Sequence, residues 1–257
     1  MPTSRVVAIA NQKGGVGKTT TAVNLGAYLA LGVHVLLVDI DPQANATSSL
    51  GLDPNQPRLS TYDALIGAAP LSAVVLNSGR DGLDLAPASR ALAGAQIELV
   101  ELADREYRLR NVLADVREQY DVTLVDCPPS LGILTLNALV AADLVLAPVQ
   151  CEYLALEGVG QLMETIELVR ATLNPRLELL GMLMTMYDPR TKLSTQVVDE
   201  VRQHFPQRTF ETVIPRSVRL SEAPSHGKPV LEYEPTSRGA GAYADLAQEI
   251  IRRGLLR

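Results

Sequence analysis

A chain of 257 residues that is 47% hydrophobic and 20% charged can bury a full core and is too apolar to remain disordered. Its formal charge of −6 argues against the whole molecule being a nucleic-acid glove. No uninterrupted apolar run reaches the ~18 residues of a membrane span, no signal-peptide pattern opens the chain, and two cysteines, Cys127 and Cys151, make no disulfide framework. One α/β domain over residues 1–257 in a reducing compartment is the expectation.

Residues 5–10 (RVVAIA) form a short β-branched apolar run that leads through Asn11 and Gln12 into KGGVGKTT at 13–20. Residues 20–31 then carry Ala22, Val23, Leu25, Leu29 and Ala30 at helical spacing and stop at Gly32. The order predicted is strand, glycine loop, helix. Four further apolar runs follow: VHVLLV at 33–38 before Asp39, VTLV at 122–125 before Asp126, LVLAPV at 144–149 and LLGMLM at 179–184. Continuous runs of this kind suit strands covered on both faces, and the helical patterns between them imply a doubly wound, mainly parallel sheet. Between residues 50 and 120 the cues are sparser. GLDLAP at 82–87 supplies a candidate strand, and 97–119 reads as one helix whose stripe of Leu99, Leu102, Leu109, Val112, Leu113 and Val116 packs on the core.

Glycines allow successive backbone N–H groups to turn inward around phosphate oxygens, with the positive end of a helix behind them. Gly15, Val16, Gly17 and Lys18 are the donors expected, with Lys18 reaching the β- and γ-phosphates, the Thr19 hydroxyl on magnesium and Thr20 at the α-phosphate. The common phosphate-loop pattern places a glycine five residues before Gly17, where this chain has Gln12. Asp39 and Asp41, in LVDIDPQ at 37–43, and Asp126, in DCPP at 126–129, fall at strand carboxyl ends, where ligands of such sheets bind. Beside a metal and a γ-phosphate, such carboxylates hold metal-bound waters or orient the attacking one.

The string KGGVGKT resembles the deviant Walker A motif of the ParA/MinD group of ATPases. The resemblance implies ATP and magnesium bound by Lys13, Gly14 and the rest of the loop through Thr20. Asp41 would position the hydrolytic water, Asp39 would support the metal's hydration shell and Asp126 would be the Walker B aspartate. Lys13 would cross a nucleotide-sandwich homodimer to the phosphates of the other subunit, as an arginine finger does.

Residues 190–228 hold seven Lys/Arg against four acids, a net +3 where the remainder of the chain is −9. Within them, IPRSVRLSEAPSHGKP at 214–229 closely resembles chromosomal ParA proteins of the Soj type, and the likeness covers almost the whole chain, including DPRT at 188–191 and QANAT at 43–47. It implies that Arg190 and Arg219 bind double-stranded DNA non-specifically once ATP has closed the dimer, and that Pro215 and its neighbours lie against adenine. Ser217 stands where relatives often have asparagine, and its reach is shorter. A ParB-type centromere-binding partner that stimulates hydrolysis, a cytoplasmic and nucleoid-associated location, and support of chromosome or plasmid partition complete the implication. With residues 1–4 alone before the first strand, no helix-turn-helix domain is expected.

Two alternatives carry weight. A MinD-like membrane switch would end in an amphipathic helix, and residues 243–257 hold Leu246, Ile250, Ile251, Leu255 and Leu256 with Arg252, Arg253 and Arg257, interrupted by Gly254. Packing of that helix on the body is the simpler reading. An iron–sulfur reductase resembling the nitrogenase iron protein would need cluster thiolates from Cys127 and Cys151. Their spacing does not match that family, and both read as small buried residues.

Overall fold

The computed structural model describes residues 4–55, 59–153 and 155–254. The chain opens with β1 (Arg5–Ile9), α1 (Lys18–Leu29), β2 (Val35–Asp39) and the short helices α2 (Asn45–Ser49), α3 (Thr61–Ile66) and α4 (Leu71–Val74). A hairpin of β3 (Leu76–Arg80) and β4 (Leu83–Ala86) is followed by α5 (Leu92–Glu98), α6 (Arg108–Ala114) and β5 (Val122–Asp126). The second half runs α7 (Ile133–Ala141), β6 (Leu144–Gln150), α8 (Ala155–Thr172), β7 (Glu178–Tyr187), α9 (Lys192–His204) and β8 (Thr209–Pro215). It finishes with α10 (Val218–Glu222), α11 (Val230–Tyr233) and α12 (Arg238–Arg252).

The eight strands form one sheet in the order β3-β4-β2-β5-β1-β6-β7-β8. Every neighbouring pair is parallel except β3 with β4. From β1 the chain first builds outward through β2, returns at β5, and only then crosses to β6 and beyond, so its winding reverses around β1. That reversal opens a crevice at the carboxyl edge of the sheet. Register sets what meets there: Asp126 is level with Ile9 on one side and with Asp39 on the other.

Both faces of the sheet are covered. Val7, Leu37 and Leu124 pack with Leu25 of α1 and Tyr243, Leu246 and Ile250 of α12, while Val6, Leu36 and Val125 pack with Leu113, Leu139 and Ile166 on the opposite face. Each such leucine is stabilised by roughly 1.5–3 kcal/mol relative to exposure, which is why these strands read as unbroken apolar runs.

Three features depart from the sequence expectation. α1 begins two residues earlier than its apolar pattern, because Gly17 at φ 91° turns the chain directly into the helix. Residues 97–119 are not one helix: Leu102 is extended at φ −89°, ψ 141°, and the chain turns before α6 restarts. The break is held from α7 by fully buried Asn137, which accepts Leu109 N–H at 3.0 Å and donates to the Arg105 carbonyl at 2.7 Å. An orphan N–H at a helix start is thereby satisfied by a tertiary partner. The stripe does pack on the core, as expected. Strands β3 and β8 lie outside the strand runs read from the sequence, although TFETVIP over β8 is rich in β-branched and aromatic residues.

The apolar face of α12 is spent on the core, and of its large apolar side chains Ile251 is exposed. Leu255, Leu256 and Arg257, which belong to the amphipathic pattern, lie outside the described residues. No helix among the described residues is long and apolar enough to cross a membrane.

Candidate functional site

The glycine loop leaves β1 at the sheet's carboxyl edge. Gly15 at φ 75° and Gly17 at φ 91° occupy the left-handed region, where a Cβ is strained. The loop is clamped from two strands. Thr185 of β7 donates to the Val16 carbonyl at 2.8 Å. Asn11 donates to Pro148 of β6 at 2.7 Å and accepts Lys13 N–H at 3.0 Å. α1 then starts with no side-chain cap and no acid in its first turn, which leaves its N–H groups and positive end free for an anion.

Lys18 is buried, with its Nζ donating to the Lys13 carbonyl at 3.0 Å. Burial pulls its pKa below the ordinary lysine value, opposed chiefly by the Asp126 charge. Asp126 is wholly buried, and neither of its oxygens has a hydrogen-bond partner of ordinary geometry among the described residues. Burial, and next the charge of Asp39, push its pKa well above the usual carboxylate range; the nearby Thr19 hydroxyl and Lys18 ammonium oppose the rise. An orphaned buried carboxylate facing a lysine and a threonine hydroxyl fits a site completed by a small divalent cation. Among the described residues no cluster of three or more His, Cys, Asp or Glu could hold an ion. The remaining ligands would therefore be phosphate oxygens and water, as magnesium prefers.

Asp39 is deployed differently. Its Oδ2 accepts Thr47 N–H at 2.9 Å and the Thr47 hydroxyl at 2.7 Å, and its Oδ1 accepts Asp41 N–H at 3.1 Å. Burial raises its pKa to about 6 against those hydrogen bonds. Both oxygens thus hold the 41–47 segment in place. Asp41, 6% exposed, uses Oδ1 to accept Gln43 N–H at 2.9 Å and shares the wall of one cavity with Gly15, Lys18, Thr19 and Thr20.

Thr20 and Gly17 also face a second cavity of about 450 Å³, walled by Pro215 and Ser217 together with Met186, Leu220 and Tyr243. Its volume is in the range of pockets that hold small molecules. Met186 borders both cavities and has φ 53°. Ala44 at φ 52°, between Gln43 and Asn45 on the rim of the first cavity, is the other non-glycine residue with positive φ among those described. Strained backbone of this kind concentrates at functional sites. Nothing in the sequence pattern marks Thr185, Met186 or Tyr243. They reach the site because β7 ends beside the loop and α12 packs on α1, where the Tyr243 and Thr21 hydroxyls lie 3.2 Å apart.

Lys13 pairs with Glu152 at 2.8 Å and is not in the wall of the cavity at the loop, both side chains being partly exposed. Arg190 and Arg219 lie on one rim, because Tyr187 of β7 is in register with Pro215 of β8 and accepts Arg216 N–H at 3.0 Å. Both are solvent-exposed. Cys127 and Cys151 are buried thiols, and burial pushes the pKa of each upward, that of Cys151 to about 12. His226 stacks on Tyr233 with centroids 4.8 Å apart, a loop-packing role.

A glycine loop between β1 and α1 at the winding reversal of a doubly wound sheet, with a buried aspartate on the adjoining strand, defines the phosphate-loop class of α/β nucleotide-binding proteins. A family model described as an AAA domain matches residues 4–179. The chain is 54% identical over 251 residues to the sporulation initiation inhibitor protein Soj of Bacillus subtilis, covering 97% of this chain and 99% of that one. It is 56% identical over 250 residues to the chromosome-partitioning ATPase Soj of Thermus thermophilus, covering 97% and 96%. The chain belongs to the ParA/Soj family of chromosome-partitioning ATPases. Among solved structures, cobyrinic acid a,c-diamide synthase from Mycobacterium smegmatis with bound ADP and magnesium is similar at a TM-score of 0.85 and 43% identity, over 97% of this chain and 94% of that one.

Proposed function

We propose that the chain is an ATP-dependent DNA-segregation switch whose hydrolysis of ATP to ADP and phosphate resets it. The observation that supports this most strongly is the Asp126 carboxylate, buried and unpartnered beside Lys18 and Thr19 at the mouth of an uncapped helix. Leaving such a group unsatisfied is costly, and a magnesium–phosphate ligand offsets that cost. In this reading Gly14 to Lys18 cradle the phosphates, and Thr20 sits at the α-phosphate. Pro215 and Ser217 face the base. Thr19 and Asp126 hold magnesium, which supplies charge neutralisation at the transferred phosphoryl group. Asp39 supports the metal's hydration shell from behind, through the backbone of Asp41 that it holds. Asp41 has one oxygen not engaged by Gln43 and orients the attacking water with it.

ATP-driven pairing of two chains releases Lys13 from Glu152 and brings it to the partner's phosphates, where it stabilises charge developing in the transition state. The paired surface joins Arg190 and Arg219 of both chains into one basic face for the phosphate backbone of double-stranded DNA, without base readout. A ParB-type partner accelerates hydrolysis and so release. Sizing of Asp41→Ala with ADP, with ATP, and with ATP plus DNA tests the scheme. A long-lived dimer is expected with ATP alone, and a larger complex once DNA is added. A monomer in all three conditions, or rapid ATP turnover by the variant, would overturn it.

A further inference from the structure

Each exposed arginine of the proposed DNA face is already engaged by a carboxylate of its own chain. Arg190 donates through Nε to Asp188 Oδ1 at 2.9 Å and through Nη2 to Oδ2 at 2.8 Å, the two-pronged geometry that a phosphate would otherwise receive. Asp188 also accepts Arg190 N–H at 3.0 Å, so the acid is rooted in the turn after β7. Its side chain is 17% exposed while that of Arg190 is 85% exposed. Arg219 donates through Nη1 to Glu222 Oε2 at 2.8 Å, one turn along α10. The Tyr233 hydroxyl donates to the same oxygen at 3.1 Å and fixes that acid as well. Hydrogen bonding from the two arginines holds both carboxyls below their ordinary pKa, Asp188 at about 2, so both carry charge at neutral pH.

We propose that Asp188 and Glu222 are built-in competitors for the phosphates that Arg190 and Arg219 bind, keeping both arginines self-neutralised on a single chain and capping its affinity for DNA. This rests on the reading of that face as the DNA contact. An arriving phosphate must displace a carboxylate at each arginine, so a lone chain gains little. A face with two copies of each arginine repeats the exchange at twice as many sites on one DNA and binds usefully. Exposed ion pairs are weak, so the competition is tunable rather than absolute: freeing one arginine tightens binding by no more than about fivefold.

The test measures binding of a random-sequence DNA duplex, with ATP present, as a function of salt. The proteins compared are the unaltered chain, Asp188→Asn, Glu222→Gln, and the reference variant Asp199→Asn. Asn and Gln keep an acceptor for Arg190 N–H and for the Tyr233 hydroxyl, so the local fold is retained. Asp199 is an exposed α9 acid in no ion pair among the described residues, and its variant makes the same change in net charge. Asp188→Asn and Glu222→Gln are expected to bind about threefold to fivefold more tightly, with a salt dependence steepened by up to ~0.9 for each phosphate gained. Asp199→Asn should show a smaller shift with no change of slope. Equal shifts in all three variants, or unchanged or weaker binding by the first two, would overturn the competition. Arg190→Glu and Arg219→Glu separate the two layers. If they bind DNA normally, the DNA face itself is wrong; if they lose DNA while Asp188→Asn and Glu222→Gln change nothing, only the competition is wrong.

Discussion

Thr47→Val would test whether the buried Asp39–Thr47 link is what fixes the segment bearing Asp41. Valine keeps the shape of threonine and removes a hydroxyl that donates to Asp39 Oδ2 at 2.7 Å and accepts Ala88 N–H at 2.9 Å. Thr47 is 1% exposed, Asp39 is fully buried and Ala88 is 2% exposed, so water cannot replace either bond without rearrangement. Each buried group left unsatisfied costs about 1–3 kcal/mol, and Asp39 keeps the Thr47 N–H, so a total near 3 kcal/mol is expected. For a domain of this size that corresponds to a fall in Tm of roughly 6–12 °C. The pH dependence gives a second signature. Asp39's folded pKa of about 6 lies above its ordinary value, so its ionised form destabilises the fold above pH 6, and that penalty is relieved as pH falls through 6. Removing the hydroxyl donor raises the pKa further. The deficit of Thr47→Val against the unaltered protein should therefore be largest at pH 7.5 and smaller at pH 5, measured by urea unfolding at both. A deficit under about 0.5 kcal/mol at pH 7.5, or one that grows toward acid, would refute the reasoning.

Lys13→Ala breaks only a partly exposed pair with Glu152, so its stability should stay within about 1 kcal/mol of the unaltered chain while ATP-dependent dimerisation, followed by light scattering, is lost. Thr185→Val leaves the buried Val16 carbonyl without its donor; calorimetric titration with ADP should show affinity weakened roughly 5- to 30-fold, and the stranded carbonyl should also lower Tm by roughly 2–12 °C. Asn137→Leu strands Leu109 N–H and the Arg105 carbonyl at the start of α6; unfolding should reveal a loss of about 2–4 kcal/mol with nucleotide binding intact below the transition.

How much of the site could be read in advance depended on how local its cause is. The glycine loop was legible because φ at Gly15 and Gly17 and the helix start at Lys18 are set by neighbours along the chain. Asp39 and Asp126 were legible as strand-end carboxylates, and their level placement follows from the pairing of β2 and β5. Their different environments were not: Asp39 meets Thr47, eight residues on, while Asp126 has the Thr19 hydroxyl and Lys18 ammonium nearby but no hydrogen-bond partner of ordinary geometry among the described residues. Met186 and Tyr243 carried no signal because each reaches the cavity from an element distant in the chain. The helix read across 97–119 failed for the same reason, since Asn137 restarts α6 from another helix.

The residue order by itself determined the α/β alternation, the phosphate loop and the basic segment at 190–228, because periodicity, glycine conformational freedom and charge are properties of neighbouring residues. Only the tertiary structure decided that β3 and β8 complete the sheet, that Lys13 rests on Glu152 and that Arg190 and Arg219 share a rim with a carboxylate on each. Such pairings depend on which strands lie side by side. That arrangement is set by burial of the whole sheet between two layers of helices, which no single segment encodes.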